Sequence, residues 1–197
     1  MESHNISPNS TPRVHKATKA EELWEIIKFA LIALVIVVPV RAYIAKPFIV
    51  EGASMVPTFE DKNYLIVDEI SYRLSDPKRG DVIVFHPPQN DAVYYIKRVI
   101  GLPGETIVIE KGNVTIKNTE HPDGFPLDET YVSELGTTTL TRTLGEEDYF
   151  VMGDNRPYSS DSRYFGVLPR DHIRGRALLR LYPLKDISLF PGEHHSY

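Results

Sequence analysis

Residues 106–117 read T-I-V-I-E-K-G-N-V-T-I-K. Two short β-branched runs, Thr106–Ile109 and Val114–Lys117, flank Lys111-Gly112-Asn113. Alternate side chains of a strand share a face, and a glycine-containing turn reverses the chain, so this stretch predicts a β-hairpin. Outward from it the same grammar recurs in Tyr64–Val67, Asp81–Phe85, Val93–Ile100, Tyr149–Met152 and Ala177–Tyr182, punctuated by Asp76-Pro77, Pro87-Pro88 and Pro103-Gly104. No long helical period follows residue 46, and no repeat marks the chain. Residues 46–197 are therefore expected to form a mainly β domain, an antiparallel barrel-like or sandwich structure. Residues 118–148, polar and containing Thr137-Thr138-Thr139, read as an insertion or a mobile excursion.

Upstream the pattern is different. Phe29 to Val40 is an apolar run of twelve, F-A-L-I-A-L-V-I-V-V-P-V, extended by Ile26 and Ile27 before it and Ala42 to Ala45 after it. A bilayer takes about 20 residues of helix. Lys28 and Arg41 sit near the ends, where their stems can snorkel. Trp24 and Tyr43, roughly 28 Å apart along a helix, match interfacial aromatic belts. Three readings are open: a spanning helix over 23–45, a cleaved leader with Val40 and Ala42 at its −3 and −1 positions, or a buried core helix. We take the first, with 1–22 as a disordered cytoplasmic tail. The Lys and Arg count, with Arg13, Lys16, Lys19 and Lys28 on the N-terminal side, favours a cytoplasmic N-terminus and an exported domain.

The 197 residues suit one ordinary domain. The net charge of −5 averages a +2 segment over 1–46 and a −7 remainder, so nucleic acid, which is gripped by clustered Lys and Arg, is not an expected partner. The chain has no cysteine, which excludes disulfides, a thiol nucleophile and thiolate zinc sites. Of its seven histidines, none falls in a triad motif, and nothing in the sequence points to a metal.

Three segments could carry chemistry. Gly52-Ala53-Ser54-Met55-Val56-Pro57-Thr58 presents a serine in a Gly/Pro turn, which is either a turn residue or a nucleophile. Lys97, in Tyr95-Ile96-Lys97-Arg98-Val99, shares a strand face with Tyr95 and Val99; it is either a snorkelling edge lysine or a buried base. A free lysine, at about 10.4, is a poor base near neutrality, and lowering that value by about 3 corresponds to ~4 kcal/mol of desolvation. Buried, it would deprotonate a serine without any histidine. Gly153 to Arg163, G-D-N-R-P-Y-S-S-D-S-R, is either a charged turn or a scaffold that positions a catalytic group.

Together these segments resemble the type I signal peptidases, membrane-bound serine proteases that remove signal peptides from exported preproteins. The matching blocks are G-A-S-M-V-P-T-F (52–59), R-G-D-V-I-V-F (79–85), Y-I-K-R-V-I-G-L-P-G-E (95–105) and G-D-N-R-P-Y-S-S-D-S-R-Y-F-G (153–166), in the family's order behind one anchor, over about residues 22–183. The resemblance implies Ser54 as nucleophile, Lys97 as general base, Ser159 as the serine that orients the lysine, and Asp154, Asp161 and Arg163 as residues bracing the site. It implies a mostly β fold, no cofactor, secretory preproteins and the lipid bilayer as partners, cleavage after small-x-small motifs, and a catalytic domain on the outer face of the cytoplasmic membrane. The Ser54 backbone N–H would be one oxyanion donor. Some members add a serine hydroxyl two residues earlier; that position is Gly52, so the second donor is unassigned.

Anchor and nucleophile are close in sequence. Nine residues separate Ala45 from Ser54, about 30 Å at full extension. Phe48, Ile49, Met55 and Phe59 would accordingly either touch lipid or pack inside the domain. Two rivals stand beside the protease reading. A self-cleaving Ser–Lys repressor would need a DNA-binding helical domain, and a silent membrane-tethered β-domain would need neither Ser54 nor Lys97.

Overall fold

The computed structural model describes residues 19–39 and 45–194. The tail expected over 1–18, the end of the expected span at 40–44 and residues 195–197 lie outside the described residues. The chain divides into two units, at Pro39 and Val40. The first contains a single described helix, α1 (Lys19–Pro39). Glu21, Glu22 and Glu25 fall in its first two turns, where negative charge complements the helix dipole. Apolar side chains such as Trp24, Phe29, Leu31 and Val35 are more than half exposed. No described helix is long and apolar enough to cross a membrane. The last eighteen residues of α1 still include Glu22, Glu25 and Lys28.

The second unit is mainly β-structure, as the alternating runs require, with single helical turns at Ser71–Leu74 and Ser162–Phe165 and three short 3-10 turns among its described residues. Its strands are β1 (Ala45–Ile49), β2 (Tyr64–Asp68), β3 (Val82–Phe85), β4 (Tyr95–Gly101), β5 (Thr106–Glu110), β6 (Asn113–Lys117), β7 (Phe125–Pro126), β8 (Leu140–Thr143), β9 (Asp148–Met152), β10 (Leu168–Pro169), β11 (Ile173–Tyr182) and β12 (Ser188–Leu189). One sheet runs β1-β2-β11-β3-β4-β9-β10 with β12 on β11; the other runs β7-β6-β5-β8. Every strand pairing is antiparallel. The hairpin at 106–117 forms as β5–β6, with Thr106 opposite Lys117 and Glu110 opposite Asn113.

Strand alternation explains how the two sheets share an interior. On β9, Tyr149 and Val151 join a core with Ile83, Phe85 and Val99, while Phe150 and Met152 join Ile100, Ile107, Ile109 and Ile116 on the other side. A third cluster, Val50, Met55, Phe59, Leu65, Val82 and Ala177, sits under the β1–β2 connection. Each fully buried side chain of this size contributes about 1.5–3 kcal/mol.

Two features depart from the expected strands. Ala45, expected to be the last residue of a spanning helix over 23–45, is instead the first residue of β1, where it pairs with Asp68. Pro47 is tolerated in β1 because this strand ends the sheet and pairs only with β2. Segment 118–148 supplies β7 to β6 and β8 to β5. Their brevity, two and four residues, leaves no run long enough to read as alternation.

Candidate active site

The connection from β1 to β2 folds as a tight loop. Its neck is closed by Val50 N–H donating to Asn63 O (2.9 Å) and Lys62 N–H donating to Val50 O (2.8 Å). Met55 and Phe59 are buried in the core beneath, so of the four side chains weighed for lipid contact these two are interior. Phe48 is half-buried and Ile49 exposed. With Met55 pointing inward, Ser54 is left half-buried at the turn. Gly52 adopts φ +87°, a conformation that favours glycine. Its N–H donates to Asp61 Oδ1 at 2.9 Å, so this backbone group is already engaged and is not the missing oxyanion donor. Ser54 N–H makes no hydrogen bond among the described residues.

β4 brings Lys97 under this turn. Lys97 Nζ lies 2.8 Å from Ser54 Oγ and donates to Ile96 O at 2.8 Å. Its side chain crosses the Tyr95 ring, with Nζ 5.2 Å from the ring centre, on the face the alternation assigns it. Lys97 is 4% exposed. Burial brings its pKa down from 10.5 to about 8, against the Asp161 and Asp154 carboxylates, which favour the charged form. At pH 7 about one molecule in ten then holds a neutral amine 2.8 Å from a hydroxyl. A neutral amine with its lone pair on a serine proton is a base–nucleophile pair.

The segment after β9 braces this pair from behind. Asp154 accepts two bonds from Arg98, Nε at 2.8 Å and Nη2 at 2.6 Å, and one from the Thr58 hydroxyl at 2.5 Å. Thr58 thereby ties the Ser54 turn to the segment after β9. Asp161 accepts from Gly153 N–H (3.0 Å) and from Arg163 Nε and Nη2 (both 2.8 Å), while Arg163 also donates to Arg156 O (2.7 Å). Gly153 has to be glycine: a Cβ there would stand 2.4 Å from Ser54 O and 2.2 Å from Ser159 Oγ. Ser159 is buried against the same point, and its Oγ has no hydrogen-bond partner among the described residues. Lys97 Nζ is turned to Ser54 Oγ and Ile96 O, so the structure does not join Ser159 to the lysine by a hydrogen bond.

Three further contributors have no role assigned to them by the sequence. Asn155 N–H donates to Ser54 O and its side-chain amide to Ala53 O, both at 3.0 Å. Tyr131 lays its ring 3.8 Å from the Arg98 guanidinium, and Glu129 pairs with buried Arg156. Asn155 lay inside a motif already singled out, but Glu129 and Tyr131 come from the polar segment 118–148, where no periodicity flags them.

Ser54 and Lys97 lie in the wall of a groove of about 570 Å³, otherwise lined mostly by apolar side chains such as Phe48, Val50, Leu65, Val84 and Ile96, with Glu51 and Ser160 also in its wall. β9 covers β4 only from Arg98 onward, which leaves Tyr95–Lys97 with an unpaired strand edge on that side. Among the described residues no three acidic or histidine side chains stand close enough to hold a metal ion. A mostly apolar groove, an open strand edge and a serine–amine pair together suit cleavage of an extended chain.

The profile of a family described as "Signal peptidase, peptidase S26" matches residues 23–182. A probable signal peptidase I-2 of Synechocystis sp. is 35% identical over 189 residues, covering 90% of this chain and 82% of its own. A signal peptidase I of Leptolyngbya laminosa is 37% identical over 188 residues, covering 90% and 89%. A solved signal peptidase I from Enterococcus faecalis is 35% identical and aligns with 52% of this chain and 97% of its own at a TM-score of 0.45.

Proposed function

The chain belongs to the signal peptidase family S26, and on that premise we propose that Ser54 is its nucleophile and Lys97 its general base. Its activity is that of signal peptidase I, a serine endopeptidase acting on the signal peptides of secretory preproteins. The observation that carries the dyad is the 2.8 Å approach of Lys97 Nζ to Ser54 Oγ, made by a lysine whose burial keeps it partly neutral.

The preprotein lies extended in the apolar groove against the free edge of Tyr95–Lys97, and the groove admits small side chains at −1 and −3. Neutral Lys97 takes the Ser54 proton as Oγ attacks the scissile carbonyl. Ser54 N–H, unengaged in the resting protein, donates to the oxyanion. The Lys97 ammonium then protonates the leaving amine, and a water deprotonated by Lys97 hydrolyses the acyl-enzyme. Ser159 is the lysine-orienting residue: its hydroxyl lacks a partner, and the ammonium has a third N–H beyond those on Ser54 and Ile96. Asp154, Asp161 and Arg163 hold the frame.

The N-terminal segment is the membrane anchor, spanning from about residue 23 through α1 and residues 40–44, with a cytoplasmic tail before it and the β domain on the outer face. Support comes from the apolar side chains exposed along α1, which protein does not cover among the described residues, and from the Lys and Arg distribution. The test is cleavage of a preprotein by the detergent-solubilised protein. Wild type cuts after a small-x-small motif, and Ser54→Ala and Lys97→Ala each abolish cutting. Full activity in either variant would sink the dyad.

A further inference from the structure

A single backbone oxyanion donor, Ser54 N–H, has to be aimed at the reacting carbonyl, and Asn155 touches the peptide unit that carries it. A trans peptide is planar, with its C=O and N–H pointing in opposite directions. The Ala53 carbonyl and the Ser54 N–H belong to one such plane. Whatever holds Ala53 O therefore sets the direction of Ser54 N–H. Ala53 O accepts from Asn155 Nδ2 at 3.0 Å and from Val56 N–H at 3.2 Å, and the next carbonyl, Ser54 O, accepts from Asn155 N–H at 3.0 Å. One residue, 102 positions away in sequence from Ala53, thus grips both carbonyls that flank the nucleophile. The opposite end of the plane, Ser54 N–H, is unengaged among the described residues. Hydrogen bonding at a carbonyl also polarises the attached N–H and makes it a better donor.

We propose that Asn155 is a positioning residue for oxyanion stabilisation: its side-chain amide locks the Ala53–Ser54 peptide plane so that Ser54 N–H points at the developing alkoxide. This rests on Ser54 being the nucleophile. Asn155 donates to two backbone carbonyls and makes no hydrogen bond to Lys97, so its removal acts on transition-state binding and leaves lysine ionisation alone.

The test compares wild type, Asn155→Ala and the near-isosteric, donor-free Asn155→Leu in the full-length, detergent-solubilised protein. Ser54→Ala is the control, and folding is checked by thermal melting. Loss of one complete oxyanion donor lowers kcat by about 10²–10³, and misdirecting the donor should lower it by about 10–100-fold. KM and the midpoint of the pH profile stay at wild-type values. Affinity for a peptide aldehyde with a small-x-small end, whose adduct carries the oxyanion, falls in step with kcat. Either folded variant can make the reading if the other does not fold. A kcat within twofold of wild type, a loss confined to KM, or a displaced pH midpoint would overturn the role of Asn155 while an inactive Ser54→Ala keeps the dyad intact. Cutting by Ser54→Ala would overturn both.

Discussion

Lys97, the proposed base, is badly placed as a cation. An unfolded lysine titrates near 10.5 and the folded Lys97 near 8. Between those values the unfolded chain binds more protons, so stability climbs with pH, and below 8 the penalty is complete. The difference corresponds to about 3 kcal/mol. Lys97→Met should therefore unfold at higher urea than wild type at pH 7, with the gap closing as pH rises from 8 to 10.5. A gap that is constant across that window would mean Lys97 is not held neutral by burial. At this scale the candidate site was legible in part: Ser54, Lys97, Asp154, Asp161 and Arg163 sit in contiguous motifs, and the family resemblance of those motifs is what singles them out. Asn155 was passed over within the same motif because its role depends on the orientation of a peptide plane brought to it by folding. The free hydroxyl of Ser159 was not legible either, because a motif names a side chain without fixing which partner it takes.

Among the elements, segment 118–148 changes most between sequence and structure. Its polar composition suggests an excursion, yet it contributes β7 and β8 and a strap that reaches the brace of the active site. Glu129 accepts from both terminal nitrogens of Arg156, whose side chain is fully buried, and also from the Tyr131 hydroxyl. Burial and the Glu129 carboxylate push the Tyr131 phenol pKa up, so its ring meets Arg98 as a neutral face suited to a cation. The partners Glu129 and Arg156 are 27 residues apart, beyond any helix or strand period, which is why no pattern announces them. Removing one member of a buried ion pair typically costs 3–5 kcal/mol. Glu129→Ala should thus lower the unfolding free energy by about 3 kcal/mol, and Glu129→Gln, which keeps an acceptor, by less. Equal stability of Glu129→Ala and wild type in urea would show that the strap does not support the brace. The hairpin β5–β6, by contrast, was readable outright, since local alternation and its turn agree with the tertiary register.

For the whole molecule, the proposed division of labour is an anchor that delivers and a β domain that cuts. Tethering raises the effective concentration of one partner at the other by factors of about 10²–10⁴. A protein lacking residues 1–44 should accordingly cut a soluble small-x-small peptide as wild type does, and process a preprotein embedded in lipid vesicles about 100-fold more slowly. Equal processing of the embedded preprotein by both forms would remove the anchor from the mechanism. The mainly β class was legible from period-two runs, whereas β1 was hidden by Pro47 and by its continuity in sequence with the apolar run before it. The central claim is that Ser54 is acylated with Lys97 as its base. It is tested most directly by acid-quenching a single turnover with a small-x-small peptide ester and locating the acyl group by mass spectrometry across pH. The adduct should map to Ser54, form at a rate that rises through one ionisation near pH 8, and be absent from Lys97→Met. An adduct on another residue, or a rate on Ser54 that ignores both pH and Lys97, would contradict the account.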